Sequence, residues 1–465
     1  MRNHAFRKKR LVLLVTLAAV LAVNLAAAFL PYRAAHPDVS ANGIYTISNT
    51  SKSLLESVER DAEITYFAAD PDPDIRAFLE LYRAPHVRVT VAEPDAADED
   101  QTIRLSCGED ARTVGVSDLF YYSGTTYSPM YGMLSVSQYA QITAQLASLS
   151  SSDEAYESYV YFFGPDVTQA HFCGEEVITS LLRNLVGGSL RTLYVLTGES
   201  GSTPDWYVML RLKMHGFEAR GVTDLSSLPD GALLWLTPRA DLDGDGAAAL
   251  KDFLSRGGRL FLTTLYSQLE LPNLTEVLAA YGMSAEQNCM VGDGTEVSAT
   301  FSPKRADHAV NETVGSGMIV SYAHEILLSE VDGVENASLL KTSASGQCVT
   351  VSENGTQSVV SGTFTVAATA VRSADSSRVA WLAMVPTSNL DYYTGNANST
   401  YAAAMLAWLA EDELRQPIGE TRTLPSTLLN TSVTVFAVWI AVFVVLIPLV
   451  LLAVALVRRY VRKKT

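Results

Sequence analysis

Thr192–Arg220 reads TLYVLTGESGSTPDWYVMLRLKMHGFEAR. An apolar strand over 193–196 runs into Gly198-Glu199-Ser200-Gly201-Ser202, and a helix is expected over 205–215, with Trp206, Met209, Leu210 and Met214 on one face and Gly216 just past its end. A strand that turns through glycines into a helix is the repeating unit of a parallel α/β sheet. It is also the junction at which enzymes place a nucleophile or cradle a phosphate. Both the fold and the chemistry therefore hang on this turn.

Downstream the unit repeats. Strands are expected over 232–236, 259–263 and 379–384, and helices over 247–255, 277–281 and 400–409, with Gly257-Gly258 and Gly282 as stops. Short apolar strands separated by helices indicate a sheet covered on both faces. A Val/Thr/Ser-rich stretch over about 293–376 reads as a strand-rich insertion.

Upstream, Ser53 and Glu56 have capping-box spacing ahead of Leu54, Leu55 and Val58. Residues 63–68 and 87–91 read as strands. Between them a helix opens at Pro73, with Ile75, Phe78, Leu79 and Tyr82 on one face. A hairpin is expected about Ser123-Gly124 and a helix over 175–186, giving a thioredoxin-like layer without a redox cysteine pair. The aromatic run Phe120, Tyr121, Tyr122, Tyr127 and Tyr131 reads as strand residues alternating between core and surface.

The chain has 465 residues, enough for two or three domains, and its hydrophobic excess lies at its ends. Residues 11–30 and 433–457 carry no charge and are long enough as helices to cross a hydrocarbon core of about 30 Å. Arg2, Arg7, Lys8, Lys9 and Arg10 precede the first, and Arg458, Arg459, Arg462, Lys463 and Lys464 follow the second. The positive-inside rule then places both termini in the cytoplasm and the large domain outside, as a two-pass cell-membrane protein. Those ten cations leave 24 Lys and Arg against 50 Asp and Glu between the spans, a net charge of −26. Nucleic acid is excluded as a partner on that balance. Cys107, Cys173, Cys289 and Cys348 form no C-x-x-C pair, so no zinc site is written, and one or two disulfides stay open without a pairing.

The turn falls short of the motifs that it suggests. A nucleophile elbow is G-x-S-x-G, and here the second glycine comes one position early. A phosphate loop needs Gly-Lys-Ser/Thr, and no lysine appears before Lys213. The residues are expected to form a strand-to-helix turn with Ser202 or Thr203 as cap. The N–H groups of Gly198, Glu199, Ser200, Gly201 and Ser202 remain candidates for binding a ligand or partner. Asp241, Asp243 and Asp245, with Gly246 and with Asp252 at position twelve, match the core of a calcium loop. Pro238 and a strand stand where its entering helix belongs, and the competing reading is an Asp-rich helix start.

In combined order the chain resembles the gliding-motility-type ABC transporter auxiliary family (GldG-like). The resemblance is carried by Tyr45-Thr46-Ile47-Ser48 before the Leu54-Leu55 helix, by 64–67, by Tyr82 before 87–91, and by Tyr194-Val195-Leu196-Thr197-Gly198. Residues 233–238, 253–261 and the terminal Arg458-Arg459 continue it. It implies a glutamine-amidotransferase-like (flavodoxin-like) second domain lacking a catalytic cysteine, and ABC permease and ATPase subunits as partners. The family's Gly-His-Gly-Glu is replaced here by Gly198-Glu199-Ser200-Gly201.

The expected organisation is a basic tail over 1–10, a span over 11–30, a thioredoxin-like α/β domain over 38–188 and an amidotransferase-like α/β domain over 191–410. A linker over 411–432, a span over 433–457 and a tail over 458–465 complete it. The expected function is that of a non-catalytic, membrane-anchored binding or coupling subunit. The alternatives are a tethered serine hydrolase using Ser200 and a calcium-dependent surface-binding module.

Overall fold

The computed structural model describes residues 46–96, 99–124, 134–135, 148–149, 168–188, 191–266, 270–294, 298–351 and 357–424. Contacts divide the chain into two units, Ser48–Thr421 and a second formed by Met1–Ile47 with Arg422–Thr465. The larger unit carries both α/β layers.

Its first layer is α1 (Asn49–Ser57), β1 (Ala62–Phe67), α2 (Pro73–Glu80), β2 (Val87–Ala92), β3 (Thr102–Cys107) and β4 (Asp110–Gly115). The sheet order is β2-β1-β3-β4, with β1 and β2 parallel and the other pairs antiparallel. α1 begins before the expected capping box, because Ser48 caps it by accepting from the Ser51 N–H. A hairpin turns at Gly108, between β3 and β4, while at Ser123-Gly124, where a turn is expected, the chain is still in a strand. Those two residues end β5 (Phe120–Gly124), which pairs with β6 (Leu134–Ser135) and β7 (Thr168–Phe172). Tyr127 and Tyr131 lie outside the described residues. Next, α3 (Gly174–Val186) packs on β3 and β4 with one face and meets the second layer with the other.

The second layer begins with β8 (Arg191–Leu196), α4 (Trp206–Met214), β9 (Phe217–Val222), β10 (Leu233–Leu236), α5 (Gly244–Ser255), β11 (Arg259–Thr263) and α6 (Pro272–Ala279). The strand-rich insertion follows with β12 (Met283–Gly292), β13 (Thr300–Phe301), β14 (Lys304–Arg305), α7 (Ala309–Glu312), β15 (Val320–Ser321) and β16 (Ala323–Leu328). It continues through β17 (Val334–Lys341), β18 (Gly346–Val351), β19 (Gln357–Gly362) and β20 (Thr365–Arg372). β21 (Ser377–Leu382), α8 (Ser388–Thr394) and α9 (Ala397–Ala410) close the layer.

The main sheet has the order β14-β17-β20-β21-β11-β10-β8-β9. β9, β8, β10, β11 and β21 are parallel, which is the flavodoxin-like order 2-1-3-4-5. β20, β17 and β14 extend it antiparallel. Right-handed crossovers run one way from β8 and the other way from β10, so α4 and α5 cover opposite faces. α9 packs beside α4, against β10, β11 and β21. β16, β12, β18 and β19 form a separate antiparallel sheet, in which Cys289 of β12 is disulfide-bonded to Cys348 of β18. Cys107 and Cys173 are buried thiols.

Sequence alone suggests two membrane-crossing helices around this core. The expected spans at 11–30 and 433–457 lie outside the described residues, and among the described residues no helix is long and apolar enough to cross a membrane. The two-span fold class and the two-pass location with both termini cytoplasmic are accordingly corrected to a mixed α/β fold. The helix that comes nearest in character is α9, apolar on nearly every side. Its 14 residues span only about 21 Å, and it is a core helix buried by protein.

Three arginines hold the end of α9. Arg259 Nη1 donates to Leu409 O at 2.8 Å, Arg378 Nη1 to Trp408 O at 3.0 Å and Arg191 Nη1 to Ala410 O at 3.2 Å. Each arginine stands at or next to the first residue of a parallel strand, so the strand starts supply the positive charge that a helix C-terminus favours. Arg259 and Arg378 are register neighbours and share the carboxylate of Glu411 at 2.7 and 2.6 Å. Arg259→Met or Arg378→Met should each cost about 1–3 kcal/mol, because carbonyls satisfied by a charged donor are orphaned. Urea denaturation of the single variants checks this; an unchanged midpoint would show that the caps are dispensable.

Candidate functional site

In a doubly wound sheet the ligand crevice lies beyond the carboxyl ends of the strands, where successive connections diverge. Here that point is between β8 and β10, and the turn after β8 stands over it. Gly198 takes φ +91° and lets the chain reverse. Gly201 then folds back over the strand end so closely that a Cβ would lie 2.2 Å from Leu196 O.

The turn is zipped to the loop that follows β10. Gly201 forms an antiparallel bridge with Pro238, Ser202 N donates to Thr237 O at 2.9 Å, and Arg239 N donates to Ser200 O at 3.2 Å. At the start of α4, Asp205 Oδ1 accepts from Tyr207 N at 2.8 Å. Of the five N–H groups that the sequence offers to an anion, that of Ser202 is therefore engaged within the chain. Asp205 also accepts from Ser388 Oγ at 2.8 Å, so it, and not Ser202 or Thr203, is the cap.

Each described histidine has a partner other than Ser200. His86 pairs with Asp61 at 2.9 Å, His171 stacks on Tyr121 at 4.6 Å, and His308 accepts from Val310 N. His215 bonds Arg415 O at 2.6 Å. His4 and His36 lie outside the described residues.

His324 belongs to a buried network under the strand ends that the sequence reading missed. Trp381 Nε1 donates to Thr264 Oγ1 at 2.7 Å, Thr264 bonds His324 Nε2 at 2.7 Å, and His324 Nδ1 meets Glu325 O at 3.0 Å. Donor chemistry orients it: the indole N–H donates to the hydroxyl, the hydroxyl to Nε2, and Nδ1–H to the carbonyl. A parallel set joins Trp235 Nε1 to Thr263 Oγ1 at 2.9 Å and Thr263 to Thr237 at 2.6 Å. The Thr263-Thr264 pair closing an apolar strand was its visible signal, and nothing local links it to His324, 60 residues away.

The four aspartates serve separate structural tasks. Asp241 accepts from Asn273 N at 2.9 Å and Leu274 N at 3.1 Å at the start of α6. Asp243 caps α5 through Gly246 N at 2.7 Å, and Asp245 lies in the first turn of that helix. Asp252 pairs with Arg256 at 2.9 Å. Among the described residues no group of three or more His, Cys, Asp or Glu stands together as metal ligands.

Three buried groups contribute strongly to the response to acid. Burial first, and then the charges of Arg211 and Arg183, pushes His215 down to about 3. Burial takes His324 down to about 4. Both are neutral in the fold and protonate near pH 6.5 when unfolded, so their stability is complete above that pH and is lost as pH falls. Asp391 acts in the opposite sense, since burial raises it to about 6 and the fold takes its proton more readily than the unfolded chain. Among these three the histidines outweigh it, and their combined contribution falls by about 4 kcal/mol between pH 7 and pH 4. Asp391→Asn keeps an acceptor for Ser399 N and a donor for Ser399 Oγ but removes the opposing term. The fall in melting temperature from pH 7 to pH 4 should then be steeper than in the parent, and equal slopes would refute the assignment.

No family model matches the chain, and no curated protein matches it. Among solved structures it is similar to the mmIFT52 N-terminal domain, at 12% identity and a TM-score of 0.37 over 48% of this chain and 99% of that one. It is also similar to a cytoplasmic protein of Salmonella typhimurium LT2, at 9% identity and a TM-score of 0.30 over 47% of this chain and 99% of that one. A third is the β-galactosidase of Rahnella sp. R3, at 12% identity and a TM-score of 0.29 over 51% of this chain and 34% of that one.

Proposed function

We propose that the chain works by binding, as a non-catalytic auxiliary or coupling subunit of a larger assembly. ABC-type permease and ATPase subunits are the partners that its resemblance to the gliding-motility-type auxiliary family implies. The observation that carries this reading is the closure of the switch point. The turn that would cradle a ligand or form an oxyanion hole is zipped to the neighbouring loop at the Gly201–Pro238 bridge, where Ser202 N donates to Thr237 O and Arg239 N to Ser200 O. Oxyanion stabilisation needs N–H groups aimed at open space, and here Ser202 N already has a carbonyl.

A second support is the way the two layers are strapped together. Residues 411–421 run along α3. Ile418 N donates to Ser180 Oγ at 2.9 Å, Arg183 Nη1 to Gln416 O at 2.5 Å and Thr421 Oγ1 to Glu176 Oε2 at 2.8 Å. The same strap meets the second layer through His215 and through Arg191, which pairs with Asp412 at 2.9 Å. A displacement of the strap acts on both layers together, which suits a coupling role.

Three measurements test the reading. Ser200→Ala should change the unfolding free energy by no more than about 0.5 kcal/mol, whereas Gly201→Ala should cost about 2–3 kcal/mol because its Cβ meets backbone. A serine-directed probe should label parent and Ser200→Ala protein equally poorly, and labelling that vanishes with Ser200 would establish the hydrolase instead. Affinity purification of the tagged chain from a mild detergent extract should recover an ATPase and a permease. Recovery of a lone polypeptide would remove the proposal.

A further inference from the structure

The edges of the sheets are guarded, with one exception. A free edge offers unpaired N–H and C=O groups to any other strand, and proteins discourage this with charged residues, prolines or cover. Among the described edge strands of four or more residues, β2 carries Arg88, β4 carries Asp110 and Arg112, β9 carries Glu218 and Arg220, and β16 carries Glu325 and packs against β20. Even the two-residue β14 is Lys304-Arg305. β19 reads QSVVSG, with neither charge nor proline.

β19 is also the least covered strand. Ser358, Val359, Val360 and Ser361 are all exposed, so both faces meet water, with Val359 at 52% and Val360 at 58% exposure. Among the described residues its one partner strand is β18, in the register Val349 to Val359 and Cys348 to Val360. β18 is itself stapled to its other neighbour, β12, through Cys348 and Cys289. A covalently anchored strand therefore holds out an uncharged, β-branched edge that gains nothing within its own chain.

We propose that β19 is an assembly edge completed by β19 of a second copy, paired antiparallel about a two-fold axis into one continuous eight-stranded sheet. The occupant follows from charge. The chain has 50 acidic residues against 34 basic ones, and two such molecules can meet along β19 with no charged side chain on either strand. Geometry adds a register. A two-fold axis perpendicular to a sheet keeps each side chain on its own face, so a residue faces its counterpart or one an even number of positions away. Centring on Val360 sets it against Val360 of the second copy, Val359 against Ser361, and Ser358 against Gly362. Every exposed valine then gains a neighbour. This contact is independent of the partners named above.

Sedimentation velocity on the full chain, from about 1 to 100 µM because a single-strand interface is small, measures the dimer directly. The parent should dimerise, and Val360→Lys should raise the dissociation constant at least about tenfold by facing two ammonium groups. Val359→Thr, uncharged and β-branched, should stay within about threefold of the parent. Unchanged circular dichroism and melting temperature show that the lysine variant is folded. As a test that does not depend on weakening the contact, Val360→Cys should form a covalent dimer on mild oxidation, since residues directly opposed across antiparallel strands lie about 4.5–5.5 Å apart. Leu265→Cys, exposed but off this strand, should not. A parent that stays monomeric at 100 µM, a dimer indifferent to Val360→Lys, or a Val360→Cys chain that fails to cross-link would each overturn the proposal.

Discussion

A helix with no polar side has to be covered all round, and α9 imposes that demand on the larger unit. Tyr401 through Leu406 are buried, as are Ala407, Leu409 and Ala410. One side is taken by β10, β11 and β21, and α4, α7 and α8 pack around the rest. Its backbone ends still need partners in this dry setting. At the C-terminus the three strand-start arginines supply them. At the N-terminus Asp391 of α8 accepts from Ser399 N and Ser399 Oγ, while Asn398 trades bonds with Ile319 N and O. Burying the helix thus commits two helices, three strands and part of the insertion to fixed positions.

The same logic explains the closed carboxyl edge of the sheet. Trp235 and Trp381 are each almost wholly buried, and an indole N–H left unpaired there would cost about 1–3 kcal/mol. Thr263 and Thr264 meet that need from adjacent positions at the end of β11, one toward each tryptophan. His324 completes the second set, and burial keeps it neutral, as an acceptor at Nε2 requires. Groups that might have done acid–base work are thereby occupied in keeping a hydrophobic layer free of orphaned polar atoms.

The segment after α9 shows how a polar sequence can mislead. Residues 411–421 carry the marks of a solvated linker: Glu411, Asp412, Glu413, Pro417 and Gly419. In the structure they form a strap whose backbone supplies carbonyls to Arg183, Ser180 and His215. Gly419 takes φ +105° where a Cβ would lie 2.9 Å from Glu175 O, so the strap can lie flat on α3 only with glycine there. Composition reports the side chains, whereas docking here is done by the main chain.

Local patterning alone determined most of the elements. The helix read at 205–215 is Trp206–Met214, the strand at 259–263 is Arg259–Thr263, and the Asp-rich stretch before α5 is a capped helix start. Hydrophobic period and capping chemistry act within one or two turns, which is why a single sequence reveals them. The capping box at Ser53 failed because Ser48 had already capped that helix one turn earlier. Only the tertiary structure decided the pairing of Cys289 with Cys348, the joining of Thr264 to His324, the convergence of three arginines on α9 and the zipping of the Gly198–Ser202 turn to Thr237 and Pro238. Each of these depends on strand order and on the hand of the crossovers, which bring together residues tens to hundreds of positions apart, and no local periodicity encodes such distances.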